Sequence, residues 1–378
     1  MREIWEKAIT AVKVTAAAAI ALYCAAAPER AGAAAASGIV RCITVVIPSL
    51  YAMMIAAPFL IRSGIVGTLG RLLELPARLL GLSGSELGIF LFSQIAGYPT
   101  GIRMLSARIS HGSSDSRRAA LLSGVCFGAG PAFISGCIAA QLYGSPEAGR
   151  LVLISTISAN AVLLMAMSFV LRRSRGDTPE KQRIVLTAEL LTECVSDGGR
   201  AMAEICFAVV GFAVFTAALR DFGVISLIAG IFSRLCGADQ SQTGAAIAAF
   251  IDITAAAGLP RGEYLLLPVV SGLVSFGGIC VFFQLSTMTG GRIGLLPVFL
   301  MRLAAGVLSG VICRLIMPPL MGEEIAAAAA IQSAVYRAQS PVPSVLLVIM
   351  TVIVIKNAGG IGRTSGRDNG VSYSSRRA

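Results

Sequence analysis

One carboxylate stands in an apolar segment where an ionised side chain is costly. Asp252 lies in the run AAFIDITAAAG, most of whose residues are apolar or small. A charge at membrane depth is unfavourable unless it faces a cavity or a partner, so such residues usually serve a function. We therefore predict that Asp252, together with Thr254, binds a coupling cation or carries a proton. The alternative is that Asp252 lies at the mouth of its segment and contacts water.

Glycine and proline interrupt the apolar segments. The run GYPTG at 97–101 cannot be a regular helix, because its proline lacks an N–H and disfavours a helical residue before it. Gly128–Pro131 breaks a later span in the same way, and a break frees N–H groups whose positive end suits an anion. The alternative is a set of kinks where small residues let helices pack closely. The predicted substrate-binding residues here are Gln94, Gly97, Tyr98, Pro99, Thr100, Gly101, Gly130, Pro131, Ser275, Gly277, Gly278 and Gln284.

One arginine lies well inside an apolar run. Arg302 stands about nine residues into the segment that begins at 293. It could bind an anionic substrate, neutralise Asp252, or extend toward an interface. Asn160 is a polar residue inside another span, where an interhelical hydrogen bond is the commoner role.

Several kinds of chemistry have no residues to support them. His111 is the only histidine, which argues against a His-based metal site and a Ser-His-Asp triad. None of the nine cysteines forms a CxxC pair, and no phosphate-binding glycine motif is present. No nucleic-acid-binding motif accompanies the net charge of +11. We expect no enzyme activity, no metal, no cofactor and no nucleic-acid partner.

The composition predicts the elements that position these residues. Hydrophobic types make up 56% of the 378 residues and charged types 13%, about half the charge of a soluble domain. The chain is therefore predicted to be an all-α polytopic membrane protein. Eight spans of about the length that a bilayer needs are predicted at 9–27, 43–62, 119–140, 147–171, 198–219, 264–288, 293–317 and 342–357. The first also resembles a signal peptide, but an uncleaved span is favoured because no clear stop follows it.

Two shorter, more polar stretches at 86–108 and 241–260 lie between the spans. The first is flanked on both sides by basic residues, so both of its ends are expected in the cytoplasm. A stretch that begins and ends on one side is a re-entrant hairpin, which must be buried in protein or line a cavity. The flanking arginines are Arg62, Arg71, Arg78, Arg103, Arg108, Arg117 and Arg118. The basic excess is thus first a signal for topology.

The two halves of the chain resemble each other. An amphipathic stretch follows Gly64 in one half and Gly223 in the other, and SGVCFGAGP at 123–131 matches SGLVSFGGI at 271–279. At the hairpin tips, the matched residues are Gly97 with Gly258 and Pro99 with Pro260. Three spans separate the hairpins, so the second enters from the opposite face, as in the inverted repeats of secondary transporters. The alternative is a chance similarity between glycine-rich membrane helices.

The predicted organisation follows from these repeats. Its parts are an N-terminal span or signal anchor at 1–35, a first repeat at 36–175, a cytoplasmic loop at 176–197, a second inverted repeat at 198–320, a loop and last span at 321–358, and a disordered basic tail at 359–378.

Three sequence runs carry a resemblance to a known family. They are FSQIAGYPTGIRMLSARI, GVCFGAGPAFISG, and SFGGICVFFQLSTMTG followed by Arg302. Over roughly residues 36–320 the chain resembles the YlbJ-type sporulation integral membrane proteins, which belong to the nucleoside-recognition, or Gate-domain, family.

The resemblance implies a fold similar to that of concentrative nucleoside transporters, with two re-entrant hairpins and broken helices. It implies a carrier of dipicolinate, a small aromatic dianion, in the mother-cell membrane around the forespore. A non-transporting scaffold for spore-envelope assembly and a nucleoside-type carrier are the alternatives. The sequence is also compatible with a homo-oligomer. By matching position, the resemblance assigns Gly97, Tyr98, Pro99 and Gly101 to the first hairpin tip, Gly130, Pro131 and Phe133 to the first broken helix, and Ser275, Gly277, Gly278 and Gln284 to the second.

Overall fold

The computed structural model describes residues 17–110, 116–173 and 184–328, and all regular elements in these ranges are helical. Five of the helices are long and apolar enough to cross a bilayer, with mean hydropathies of 2.0 to 2.2. They are Pro28–Arg62, Pro146–Arg172, Ala188–Asp221, Tyr264–Thr289 and Leu295–Met321. The prediction of an α-helical membrane protein is confirmed. The predicted span 342–357, the tail 359–378 and residues 9–16 of the first span lie outside the described residues.

The helices are numbered in chain order. They are α1 (Ala17–Ala26), α2 (Pro28–Arg41), α3 (Ile47–Arg62), α4 (Ile65–Leu72), α5 (Glu74–Leu79), α6 (Gly84–Ala96), α7 (Thr100–Ser110), α8 (Ser116–Ser123), α9 (Pro131–Phe133), α10 (Pro146–Arg173), α11 (Ala188–Asp221), α12 (Val224–Cys236), α13 (Gln240–Ile251), α14 (Leu267–Phe276), α15 (Ile279–Thr289) and α16 (Leu295–Ala328). Wider π-helical turns at Cys42–Val46 and Ile134–Tyr143 continue α2 and α9, and short 3₁₀ turns lie at Ile253–Gly258 and Tyr264–Leu266.

Two spans are longer than predicted, because each has a good starting residue upstream of its apolar run. Pro28 stands in the first turn of α2, where a missing N–H costs nothing, and the helix then continues to Arg62. The Thr187 side chain accepts a hydrogen bond from the N–H of Leu190 at 3.2 Å, so α11 begins inside the predicted loop 176–197.

The backbone repeats itself at two pairs of glycines. Gly64 precedes α4 with φ 78° and ψ 3°, and Gly223 precedes α12 with φ 75° and ψ 4°. Gly130 precedes α9 with φ 77° and ψ 137°, and Gly278 precedes α15 with φ 88° and ψ 153°. The second conformation is almost exclusive to glycine. Both halves therefore turn after their first span and break a later span in the same way.

In the two predicted hairpin stretches, the residue that follows the first helix is of a different type. Gly97 is the C-terminal cap residue of α6, and Asp252 is the C-terminal cap residue of α13. The helix ends thus match Gly97 with Asp252, whereas the sequence comparison matched it with Gly258. Gly258 instead closes the 3₁₀ turn that replaces a full second arm.

A buried ion pair anchors the first hairpin. Glu86 accepts two hydrogen bonds from Arg118, at 2.6 and 2.7 Å, and both side chains are almost fully buried. The same guanidinium donates to the carbonyl oxygens of Gly81 and Leu171, each at 2.8 Å. Glu86 also accepts from the N–H of Ser83 and so completes a capping box at the start of α6. The pair thereby joins α6, α8 and α10.

We expect Glu86→Gln to lower the free energy of unfolding by roughly 3–5 kcal/mol, because it leaves a buried guanidinium without its counter-charge. Denaturant unfolding of the purified protein in detergent, followed by circular dichroism, measures the change. Glu193→Gln is the control, since Glu193 pairs with Arg62 at an exposed site, at 3.7 Å, and such pairs contribute little. Equal losses in the two variants would contradict the anchoring role.

Candidate functional site

Chain interruptions from both halves meet around one small cavity, which we call the central cavity. Tyr98 of the first hairpin tip and Phe133 beyond the first helix break line one part of it. Asp252 and Thr254 of the second hairpin and Gln284 of α15 line another part. The remaining lining residues are Val46, Leu50, Ala129, Ile205, Val209, Ile253, Cys280 and Val281. The cavity measures about 30 Å³, which leaves room for about two water molecules.

In each half, the hairpin tip lies directly on the glycine of the helix break. A Cβ at Gly130 would lie 3.1 Å from the Cα of Gly97, and one at Gly278 would lie 2.9 Å from the backbone N of Ile253. Neighbouring glycines are equally constrained: a Cβ at Gly128 would meet the Ser93 carbonyl oxygen at 2.7 Å. The glycines of the breaks are therefore required for contact between tip and break.

Asp252 is 2% exposed, and its carboxylate holds the start of the second hairpin turn. One oxygen accepts from the N–H of Thr254 at 3.0 Å, and the other accepts from the Thr254 hydroxyl at 2.8 Å. The structure thus brings together the two residues that the sequence assigned to ion coupling. The carboxylate also lies within ion-pair distance of a cationic side chain.

That cation is Arg41, which the sequence analysis did not single out. Its Nη1 lies 3.6 Å from a carboxylate oxygen of Asp252 and 3.5 Å from the Thr254 hydroxyl. The Arg41 side chain is 21% exposed, so the pair reaches the edge of the buried interior. Arg41 lies in the middle of the long helix Pro28–Arg62, whereas the predicted span began only at residue 43. A predicted span that began at Pro28 would have placed Arg41 inside the helix and so identified it as a candidate partner of Asp252.

A second polar cluster lies beside the central cavity and consists of Gln94, Asn160, Ser275 and Arg302. The Asn160 amide donates to the Gln94 side-chain oxygen at 2.8 Å and to the Phe127 carbonyl oxygen at 3.0 Å. Gln94 in turn donates to the Val125 carbonyl oxygen at 3.3 Å. Asn160 is therefore an interhelical hydrogen-bonding residue, as the sequence analysis predicted.

Arg302 is fully buried and joins the two broken helices. Its Nη1 donates to Asn160 Oδ1 at 2.6 Å and to the Gly124 carbonyl oxygen at 2.9 Å. Its Nη2 donates to the Ser275 hydroxyl at 2.9 Å and to the Ser275 carbonyl oxygen. Gly124 follows α8, and Ser275 lies in the last turn of α14. One guanidinium therefore donates hydrogen bonds to the negative ends of two half-helices.

The structure therefore corrects two of the roles considered for Arg302. It does not neutralise Asp252, whose ion-pair partner among the described residues is Arg41. It does not extend to an interface, because its side chain is enclosed among α8, α10 and α14. Substrate binding by Arg302 stays a prediction, and the side chain does not line the central cavity.

Stacked rings connect the first hairpin tip to the second half. The Tyr98 ring lies 4.8 Å from that of Phe127, which lies 6.3 Å from Phe282. The Arg302 guanidinium covers the Phe127 ring at 4.7 Å. A Cβ at Gly277 would collide with the same ring at 2.7 Å. Ring packing and the arginine together hold the two breaks at a fixed separation.

The remaining residues predicted to bind substrate lie around the first hairpin tip and the first helix break. A Cβ at Gly101 would meet the Cys126 carbonyl oxygen at 2.3 Å, so this glycine permits close packing of α7 on the first break. Pro99 follows a cis peptide bond at the tip, and Pro131 occupies the first turn of α9. Thr100 donates to the sulfur of Met54 at 3.7 Å and faces a different cavity.

No group of three His, Cys, Asp or Glu side chains among the described residues is placed to hold a metal ion. No protein-family model matches the chain, and neither a curated protein nor a solved structure matches it significantly. The resemblance to the YlbJ-type proteins stays a prediction.

We expect Gly130→Ala and Gly278→Ala each to lower the free energy of unfolding by about 1–3 kcal/mol, because alanine strains these backbone conformations and collides with the hairpin tip. Thermal unfolding in detergent measures the loss. Gly211→Ala is the control, since a Cβ there meets nothing within 4 Å. If the three variants unfold alike, the tip-to-break contact is not structural.

We expect Arg302→Lys to destabilise the protein in the absence of any substrate. The amine cannot reach all the acceptors that the guanidinium serves, and each unsatisfied buried group costs about 1–3 kcal/mol. Arg314→Lys, at an exposed position of the same helix, should leave the unfolding temperature unchanged. A lysine variant as stable as the parent but deficient in ligand binding would instead favour a substrate-contacting role.

Proposed function

We propose that the protein is an integral membrane carrier of a small anionic metabolite, with dipicolinate as the first substrate to test. The observation that carries this proposal is the convergence of hairpin tips and helix breaks from both halves on the central cavity. Secondary transporters bind substrate and coupling ion between interrupted helices near the midplane, where freed N–H groups face the site. Helices that start at Pro131 and Ile279 supply such N-termini beside the cavity.

The finer architecture of the proposal is an inverted-topology repeat with eight spans and two re-entrant hairpins. The matching backbone angles of Gly64 with Gly223 and of Gly130 with Gly278 support it. The packing of equivalent elements supports it too, because α3 contacts α11 and α10 contacts α16, as elements related by a twofold axis would. Three segments separate the hairpins: residues 116–143 with their break, α10 and α11. An odd number of crossings inverts the second hairpin relative to the first.

In this mechanism Asp252 and Arg41 are the coupling pair. At 3.6 Å they attract each other without a short hydrogen bond, so the carboxylate can exchange the arginine for a cation or a proton without breaking one. The Thr254 hydroxyl already bonds the carboxylate and would complete part of a cation's oxygen shell. The central cavity admits an ion or water but not an organic acid, so the described conformation is the closed one.

The resemblance gives the proposal its cellular setting. We place the carrier in the bacterial cell membrane, in the mother-cell membrane around the forespore, where it would move dipicolinate toward the forespore.

We expect reconstituted vesicles to take up labelled dipicolinate under an ion or proton gradient. Asp252→Asn should lower uptake about tenfold or more, since tenfold corresponds to only about 1.4 kcal/mol. The double variant Asp252→Asn with Arg41→Gln removes both charges, so neither is left unpaired. It should fold but should not take up dipicolinate. Asp221→Asn is the matched control, because Asp221 pairs with Arg30 at the end of α11, away from the cavity.

Each outcome has a separate meaning. Vesicles that take up neither dipicolinate nor other small anions under any gradient would overturn the carrier proposal and favour a scaffold. Uptake of labelled uridine but not of anions would favour a nucleoside-type carrier. Uptake that persists in Asp252→Asn would leave a carrier whose coupling does not involve this carboxylate.

A further inference from the structure

A second, larger cavity lies among α3, α7 and the end of α15. It measures about 300 Å³, at the lower end of the range of roughly 300–1,000 Å³ for small-molecule sites. Its polar lining is formed by Arg62, Arg103 and Arg292 together with the hydroxyls of Thr100 and Ser106. No carboxylate among the described residues lines it, so the charged groups of its described lining are all positive. We call it the arginine vestibule.

Two of its three guanidinium groups have no carboxylate partner among the described residues. Arg62 is paired with Asp197 at 2.5 Å and with Glu193 at 3.7 Å. In the part of the chain that the structure describes, no carboxylate lies within ion-pair distance of Arg103 or Arg292. The vestibule therefore carries two positive charges that no described carboxylate contacts directly, and Asp197 and Glu204 act on Arg103 only from beyond ion-pair distance.

Arg103 is the more informative of the two. It is partly buried, and its hydrogen-bond partner is the Met54 sulfur, 3.8 Å from Nη1. A thioether is a weak acceptor, and a guanidinium has five N–H donors arranged to match a carboxylate. A partly desolvated guanidinium held against a methyl thioether thus lacks the partner for which its geometry is suited.

The vestibule lies next to the central cavity along shared helices. On α3, Leu50 lines the central cavity, and Met54, one turn later, lines the vestibule. On α15, Gln284 lines the first and Met288 the second. The first hairpin tip faces both, through residues 98 and 100. The two cavities therefore lie at successive turns of α3 and α15, with the first hairpin tip between them.

The charge pattern assigns the vestibule to one side of the membrane. Arg62 ends the first long span, and basic residues flank the first hairpin on both sides. Basic residues concentrate in cytoplasmic loops, so the vestibule is on the cytoplasmic side.

We propose that the arginine vestibule is the cytoplasmic-side recognition site of the carrier and that it selects small organic dianions. The inference rests on the proposed transport function and adds to it the location and the charge of the bound substrate. Arg103 would hold one carboxylate bidentately, as planar guanidinium groups do, and Arg292 would pair with the second. A monoanion satisfies only one of the two unpaired arginines, so it binds less tightly.

Calorimetry on the purified full chain in detergent tests the inference with two probes that differ by one charge, pyridine-2,6-dicarboxylate and pyridine-2-carboxylate. Arg103→Gln and Arg292→Gln should each raise the Kd of the dicarboxylate about tenfold, the effect of losing about 1.4 kcal/mol. Arg103→Lys should recover part of the affinity, because it keeps the charge but loses the bidentate geometry. The loss for the monocarboxylate should be confined to one of the two Gln variants.

The controls are Arg71→Gln and Arg234→Gln, which remove exposed arginines on α4 and α12 and should leave both affinities unchanged. Dicarboxylate binding that is unaffected by Arg103→Gln and Arg292→Gln, or weakened equally by the controls, would overturn the inference even if vesicles transport the substrate. Binding that depends on Arg103 in a protein that moves nothing across vesicles would instead overturn the carrier proposal and leave the vestibule as an anion site.

Discussion

Backbone groups freed by a break inside a membrane must find partners within the protein, and this constraint organises the whole structure. Water is absent there, and each unsatisfied peptide group is costly. Side chains supply the partners: Arg302 serves the carbonyl oxygens of Gly124 and Ser275, and Gln94 and Asn160 serve those of Val125 and Phe127. On the N–H side, the Asp252 carboxylate receives the donor of Thr254. Each break is therefore stabilised by particular side chains, distant in sequence for Arg302 and local for Asp252.

The same constraint makes the two halves mechanically unequal. The first hairpin is tied to the second half through Gln94, Asn160 and Arg302, all buried and all within hydrogen-bond distance. Among the described residues the second hairpin lacks a buried side-chain tie of this kind, since Asp252 bonds its own turn and meets Arg41 at 3.6 Å. Its backbone hydrogen bond to the first half runs from the Gly262 N–H to the Leu142 carbonyl oxygen at 2.9 Å. Its second arm is a single 3₁₀ turn. If the halves move against each other, the second tip can move with fewer buried side-chain hydrogen bonds broken than the first.

The sequence alone was sufficient to locate the glycine and proline interruptions but not the helix end at Asp252 or the partners of the buried charges. Glycine and proline act locally, so GYPTG at 97–101 and Gly128–Pro131 could be recognised as breaks from their own conformational limits. The partner of a buried charge depends instead on which helices become neighbours. From the sequence, Arg302 could have paired with Asp252. In the structure Arg302 instead donates to Asn160, and Arg41 is the partner of Asp252. Hydropathy also missed the start of the long helix at Pro28, because alanine-rich turns are only weakly apolar.

Arginines that orient a membrane protein can also recognise its ligand, and here the two roles fall on the same residues. Arg62 and Arg103 flank the first hairpin, and in the proposed topology they help to keep it on the cytoplasmic side, which needs only their charge. Their side chains also line a cavity, together with Arg292, and topology does not require that placement. Arg62 is neutralised by two acids, whereas Arg103 and Arg292 lack carboxylate partners among the described residues. A purely topological signal would be satisfied equally by lysines at the loop surface, so the partly buried guanidinium of Arg103, in contact with a cavity, supports the proposed second role.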